Sequence, residues 1–124
     1  MAVNLLLQPT VMDIAFRKRE YEKCANKHSY AQSVFGALRA KKYLARLTEM
    51  KAATCLADLR NIPQASYHEL TGDRKGELAC NLDHPYRLIF APAHDPIPKK
   101  EDGGLDWNQV TAVTITVIVD YHHG

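Results

Sequence analysis

The sequence lacks the short motifs that mark the most widespread cofactor and nucleophile sites. It has no GxGxxG or P-loop glycine pattern, no GxSxG turn, and no HExxH or CxxC spacing. Those patterns provide the close backbone approach to phosphates, the exposed serine and the paired metal ligands that such sites need. We therefore expect no nucleotide cofactor and no metal site.

Long apolar runs and paired cysteines are lacking too. No stretch of 18 apolar residues occurs, so no membrane span is expected. The apolar patch within residues 1–13 has no basic residues before it, which favours a tail or edge segment over a signal peptide. Cys24, Cys55 and Cys80 are odd in number and far apart, as is typical of free thiols in a reducing cytoplasm.

What the sequence does contain is enough material for one domain, 1–124, with a hydrophobic core. The chain has 124 residues, of which 46% are hydrophobic and 24% are charged. Its net charge of +2 conceals an asymmetry, because residues 1–60 hold eleven Lys and Arg against five Asp and Glu, whereas residues 61–124 hold five against nine. A basic half favours a polyanionic partner, and solvated helix faces account for the same charge equally well.

The most distinctive stretch lies near the C-terminus. Nine of the ten residues 110–119 are β-branched, which disfavours a helix and predicts a long, central strand. This strand leads directly into Asp120, Tyr121, His122 and His123. An acid, a phenol and two imidazoles at the end of a buried strand indicate a chemical role for that end.

The rest of the chain predicts an α+β domain, with helices packed on one face of a mostly antiparallel sheet. Hydrophobic periodicity indicates helices over 17–26, from an N-cap at Ser29 to about Met50, and near 55–59. Alternation and turn residues indicate strands over 11–16, 66–70, 77–83 and 86–91, the last two forming a hairpin. Residues 92–109, with three prolines and two glycines, form a long excursion between strands.

The predicted long helix carries a basic face opposite its apolar one, formed by Arg39, Lys41, Lys42 and Arg46. Such a face suits RNA phosphates, which basic side chains bind without sequence choice and with a strong salt dependence. An ordinary solvated helix face is an equally good interpretation.

A second polar set lies on the predicted strands and turns: His68, Arg74, Lys75, Arg87, Asp120, Tyr121 and His122. This inventory suits cleavage of an RNA phosphodiester without a metal. The 2′-hydroxyl attacks phosphorus once a base removes its proton, a cation stabilises the charge on the phosphate oxygens, and an acid protonates the leaving oxygen. Single His and Arg residues on strands also serve structural purposes, so the residue types alone leave both interpretations open.

Three runs resemble one family. YHELTGDRKGEL, HPYRLIF and the terminal IVDYHH are similar to the HigB toxins, the plasmid-killer branch of the RelE/ParE toxin superfamily. That family has a histidine before a Leu-Lys-Gly-Asp-Arg-x-Gly turn, an aromatic-Arg pair opening the next strand, and a terminal Asp-Tyr-His. The resemblance covers roughly residues 11–122 and is most specific in the second half.

The resemblance implies a small α+β toxin of a type II toxin–antitoxin system that cuts mRNA in the ribosomal A site. The implied partners are the ribosome, mRNA and a HigA-like antitoxin, with a higher-order toxin–antitoxin complex as a further expectation. His68 and His122 match the family's histidines and are the candidate acid and base, in either order. Arg87 would stabilise the phosphate, Tyr121 would stack on a base or orient the 2′-hydroxyl, and Asp120 would fix a histidine tautomer or take part in proton transfer. His123 is expected to be a bystander.

The chain also departs from the family pattern. Thr71 stands where the family has a lysine in the turn, and Arg74 or Lys75 is the candidate replacement for its charge. Leu78 replaces an aromatic residue, and the 92–109 excursion is longer than in compact members. Two alternatives therefore stay open, a non-nucleolytic ParE-like toxin and an inactive module that only binds an antitoxin.

Overall fold

The computed structural model describes residues 11–121, which form an α+β fold of five β-strands and three α-helices. The strands are β1 (Asp13–Phe16), β2 (His68–Glu69), β3 (Leu78–Asn81), β4 (Tyr86–Pro92) and β5 (Ala112–Asp120). The helices are α1 (Arg19–Asn26), α2 (His28–Phe35) and α3 (Ala37–Ala52). Short 3₁₀ turns cover Leu56–Asn61, Pro63–Ala65, Gly72–Arg74 and Trp107–Gln109. The predicted fold class is confirmed.

The five strands form one sheet in the order β1-β5-β4-β3-β2. Strand β5 pairs with β1 in parallel and with β4 antiparallel, and the β4–β3 and β3–β2 pairs are antiparallel. The β-branched run is therefore hydrogen-bonded on both sides, as predicted for a central strand. A bulge near Ile89 leaves Thr116 out of register, and the Thr116 hydroxyl donates to the Ile89 carbonyl oxygen at 2.9 Å.

The core lies between the helices and one face of the sheet. Leu78, Cys80, Leu88, Phe90 and Ile115 are fully buried in one cluster. Their register places them on a common face, because side chains alternate between the two faces along a strand and residues in register share a face. The helices contribute buried apolar side chains to the same cluster, the largest being Tyr43, Met50 and Leu47.

The prediction of one helix from Ser29 to about Met50 was wrong. Gly36, at φ 83°, ends α2 with a hydrogen bond from its N–H to the Gln32 carbonyl oxygen and precedes α3. A positive φ is open to glycine without steric cost, so the chain turns there and continues as a second helix. Ser29 lies within α2, which begins at His28. No helix within residues 11–121 is long and apolar enough to cross a membrane.

The 92–109 excursion is anchored at several points. The indole of Trp107 is buried, donates to the Glu69 carboxylate at 2.9 Å and lies 4.0 Å beneath the Arg60 guanidinium. Earlier in the same segment, the His94 ring accepts a hydrogen bond from the Thr111 N–H at 3.0 Å. These contacts tie the segment to the sheet end formed by β2 and to the start of β5.

Candidate functional site

Four strand ends meet at one end of the sheet: the start of β2, the end of β3, the start of β4 and the end of β5. His68 is in register with Ala79, which is in register with Ile89. Two residues before Ile89, Arg87 is in register with Asn81 and Val119. His68 and Arg87 therefore share the face opposite the helices. Strand spacing and rise put their Cα atoms about 12 Å apart.

The ring of His68 is held in one tautomer by the backbone. Its Nδ1 lies 2.7 Å from the main-chain oxygen of Ser66. A carbonyl oxygen only accepts, so Nδ1 carries the proton, and Nε2 of the neutral ring keeps its lone pair. Ser66 itself has φ 51° and ψ 54°, a left-handed conformation that is uncommon for a residue with a side chain. That conformation sets the direction of its carbonyl, and no sequence signal points to it.

The Arg87 guanidinium lies over the aromatic ring of Tyr121, the residue that follows β5. Its guanidinium carbon lies 4.7 Å from the centre of the Tyr121 ring. The Tyr121 N–H donates to the Pro85 carbonyl oxygen at 3.0 Å, which extends the β4–β5 pairing by one step and holds the ring beside Arg87. Among residues 11–121, the Arg87 guanidinium has neither an ion pair nor a hydrogen-bonded acceptor. Its N–H donors are therefore available to an anionic ligand.

A small cleft of about 160 Å³ opens beside Arg87. Its polar lining includes three residues that the sequence analysis did not single out: Gln64, Asn81 and His84. His84 is exposed in the β3–β4 turn; its position before Pro85 predicts a break in the strand, and the spacing of His84 from His122 and His123 makes a shared zinc site unconvincing. Gln64 reaches the cleft from the 3₁₀ turn before β2, and no pattern in the sequence brings it there.

Asp120 and Tyr121 lie on opposite faces of the sheet, as the alternation predicts. Asp120 is in register with Tyr86, and the Tyr86 ring lies 3.5 Å from the Arg39 guanidinium on the helix side. The structure therefore does not bring Asp120 onto the face that carries His68 and Arg87. His122 and His123 lie outside the described residues.

Two arginines of the predicted basic face have structural partners instead. Arg39 donates from Nε and Nη2 to the two carboxylate oxygens of Asp83, both at 3.1 Å. Arg46 is only 4% exposed and donates to the Asn81 carbonyl oxygen at 2.8 Å and to the Glu49 carboxylate. The expectation that Arg46 contacts RNA phosphates is therefore wrong, because its guanidinium is buried against β3. Arg39 likewise uses its donors to hold the β3–β4 turn against α3.

The two lysines of that face remain accessible. Lys41 is exposed and Lys42 is half-buried, and neither forms an ion pair with any residue in the described part of the chain. The basic surface of α3 thus reduces to this pair. Its role in RNA binding stays a prediction.

The polar turn between β2 and β3 lies away from Arg87. Arg74 forms an ion pair with Glu77 at 3.1 Å across the turn, and Lys75 is exposed. Leu78, where the turn ends, is in register with Phe90, three residues or about 10 Å along β4 from Arg87. Arg74 and Lys75 are therefore at the opposite end of the hairpin from Arg87. Neither they nor Thr71 joins the Arg87–Tyr121 pair.

His68, Arg87 and Tyr121 place an imidazole, a guanidinium and a phenol on one face of the sheet. No group of three His, Cys, Asp or Glu side chains within residues 11–121 gathers closely enough to hold a metal ion. Comparison with models of known protein families and with curated proteins gives no match.

Proposed function

We propose that the protein is an endoribonuclease toxin of a type II toxin–antitoxin system, similar to the HigB toxins, that cuts mRNA on the ribosome. The observation that carries the proposal is the contact between His68 Nδ1 and the Ser66 oxygen. It leaves Nε2 as a proton acceptor on the same sheet face as Arg87, whose donors have no partner within the described chain. A base and a phosphate-binding cation are the two groups that 2′-hydroxyl attack needs first.

In the proposed mechanism His68 Nε2 takes the proton of the ribose 2′-hydroxyl. The 2′-oxygen then bonds to phosphorus while the bond to the 5′-oxygen breaks, so that a 2′,3′-cyclic phosphate and a 5′-hydroxyl form. Arg87 donates to the phosphate oxygens as charge develops on them. His122 is assigned the complementary role of acid, which protonates the leaving 5′-oxygen.

Tyr121 has one ring face against the Arg87 guanidinium and is assigned a stacking role toward an RNA base on its other face. The tautomer-fixing role considered for Asp120 is filled at His68 by the Ser66 carbonyl. Asp120 lies on the opposite face of the sheet from His68 and Arg87 and is therefore assigned no part in the proton transfer. The partners of the proposal are the ribosome, mRNA and an antitoxin of the HigA type, in the cytoplasm.

The experiment is induction of the full-length chain in cells, followed by mapping of mRNA 5′ ends. Cuts in phase with codons are expected from the wild-type chain. They are expected to be lost in His68→Ala, Arg87→Ala and His122→Ala, and kept in Glu101→Gln, a matched change at an exposed position of the 92–109 segment. Antitoxin co-expression is expected to restore growth.

The remaining outcomes decide between the alternatives. Growth arrest with intact mRNA would overturn the nuclease in favour of a non-nucleolytic ParE-like toxin. Absence of arrest, with the protein folded and abundant, would leave an antitoxin-binding module. Cuts that persist in all three variants would place the chemistry elsewhere on the molecule.

A further inference from the structure

A cleft on another part of the described chain is separate from the candidate nuclease site. It has a volume of about 490 Å³ and opens between the β2–β3 turn and the 92–109 segment. Its apolar lining comes from both sides: Leu70, Leu78, Pro92, Ile97 and Leu105. This volume and lining are those of a site that receives a bulky apolar group. The function proposed above makes no use of it.

The rim of the cleft carries positive charge that the fold does not neutralise. Lys75 and Lys99 line the cleft, are exposed, and form no ion pair with any residue from 11 to 121. Of the two rim carboxylates, Glu77 forms an ion pair with Arg74, whereas Glu69 accepts from the uncharged Trp107 indole and keeps its negative charge. The two lysines outnumber Glu69, so the rim offers a net positive charge to a ligand.

The cleft also adjoins an open edge of the sheet. Strand β2 is the last strand in the order, and the Leu70 N–H donates to the Glu77 carbonyl oxygen. Antiparallel pairing alternates, so the backbone N–H and C=O of Glu69 point away from β3. No loop or turn backbone within the described residues bonds to either group. Glu69 lines the cleft, so an extended chain bonded to it directs alternate side chains toward the apolar lining.

We propose that this cleft docks an extended segment of a partner protein that carries a leucine-sized apolar side chain flanked by carboxylates. The apolar side chain fills the space between Leu78 and Leu105, the carboxylates meet Lys75 and Lys99, and the backbone adds to the edge at Glu69. Under the function proposed above, the antitoxin is the expected source of the segment. The docking stands independently of nuclease activity, because peptide binding is measured without RNA.

The test is an amide NMR titration of the ¹⁵N-labelled full chain with the peptide Glu-Asp-Leu-Asp-Glu, acetylated and amidated. Shifts are expected at residues 69–78 and 97–105. The affinity for the peptide is expected to fall at least about tenfold when serine replaces the leucine, because the apolar contact is lost. The double variant Lys75→Glu and Lys99→Glu is expected to lose the acidic peptide and to bind Lys-Lys-Leu-Lys-Lys instead. The matched double variant Lys41→Glu and Lys42→Glu, on α3, is expected to bind like the wild type.

Three results would overturn the proposal. The first is no shift around the cleft at millimolar peptide while the amide spectrum shows a folded chain. The second is equal binding of the leucine and serine peptides. The third is binding of 8-anilinonaphthalene-1-sulfonate in the cleft without peptide binding, which would make it a small-molecule pocket. Each result stands whether or not the chain cuts RNA.

Discussion

The guanidinium of Arg87 lies 4.7 Å from the centre of the Tyr121 ring, across the pairing of β4 with the end of β5. A cation–π contact of this kind is made with the face of the ring and does not need the N–H groups as hydrogen-bond donors. The pair therefore orients a two-pronged donor without consuming its donors. In this respect Arg87 differs from Arg39, which also lies over an aromatic ring but donates from Nε and Nη2 to Asp83.

Replacement of Arg87 by lysine is expected to reduce RNA cleavage by about 100-fold, because an ammonium cannot donate two parallel hydrogen bonds to a phosphate. The free energy of unfolding in urea is expected to change by less than about 1 kcal/mol, because only the cation–π contact of this half-buried side chain with Tyr121 is weakened. Cleavage is measured on ribosome-bound mRNA. Full activity of the lysine variant would remove bidentate phosphate binding from the mechanism.

Replacement of Arg39 by alanine is expected to lower the free energy of unfolding by about 2 kcal/mol, because it removes two charge-assisted hydrogen bonds to Asp83 and the contact with the Tyr86 ring. The matched control is Lys41→Ala on the same helix, where the side chain is exposed and a change within about 0.5 kcal/mol is expected. Urea denaturation of both variants measures the difference. Equal stabilities would show that Arg39 does not hold the β3–β4 turn.

Replacement of Arg46 by leucine is expected to cost about 3 kcal/mol, because the Glu49 carboxylate then remains beneath the sheet without its cation. The double variant Arg46→Leu and Glu49→Leu is expected to be less destabilised than the sum of the single variants. A double-mutant cycle in urea measures that coupling. Additive losses would mean that the two side chains act separately.

The three thiols are expected to react with a maleimide in two classes. Cys55 is partly exposed, whereas Cys24 and Cys80 are fully buried. Burial raises the pKa of both the Cys24 and the Cys80 thiols, so less of the reactive thiolate exists at neutral pH than in the unfolded chain. Mass spectrometry is expected to find one label per native chain and three after unfolding in urea. Rapid native labelling of Cys80 would contradict the packing of β3 against α3.

Reversal of charge at Lys41 and Lys42 is expected to weaken ribosome binding at low salt and to have a smaller effect as salt rises, because phosphate contacts release counterions. Sedimentation with ribosomes at several salt concentrations measures the slope. Glu101→Gln serves as the control for a distant surface change. If the affinity for ribosomes depended on salt concentration as steeply in the variant as in the wild type, the ribosome contact would belong to another surface.

The sequence predicts elements well where one local property decides them. The β-branched run makes β5 a strand in any context, and the alternation of Leu78 and Cys80 anticipates their burial. The sequence does not predict the break at Gly36. A lone glycine in a helical pattern can either continue the helix or end it, and packing decides which occurs.

The candidate site was predictable only in part. His68 and Arg87 were found because they are polar residues on apolar strands, and antiparallel pairing then puts them on one face. The roles of Arg39 and Arg46 could not be predicted. A helical wheel shows a basic face, but it contains no information about a partner such as the Asp83 carboxylate, 44 residues away from Arg39. The conformation of Ser66 likewise depends on how the preceding turn packs.

Strand β5, which joins β1 to β4, is the last strand within the described residues. Until residues 112–120 have been synthesised, β1 has no neighbour in the sheet, and the hairpin with Arg87 has an unpaired edge. Tyr121 cannot reach Arg87 before then. In a nascent chain the β2–β3 and β3–β4 pairs that carry His68 and Arg87 can therefore form first, and the contact of Arg87 with an aromatic ring is completed only when Tyr121 has been made.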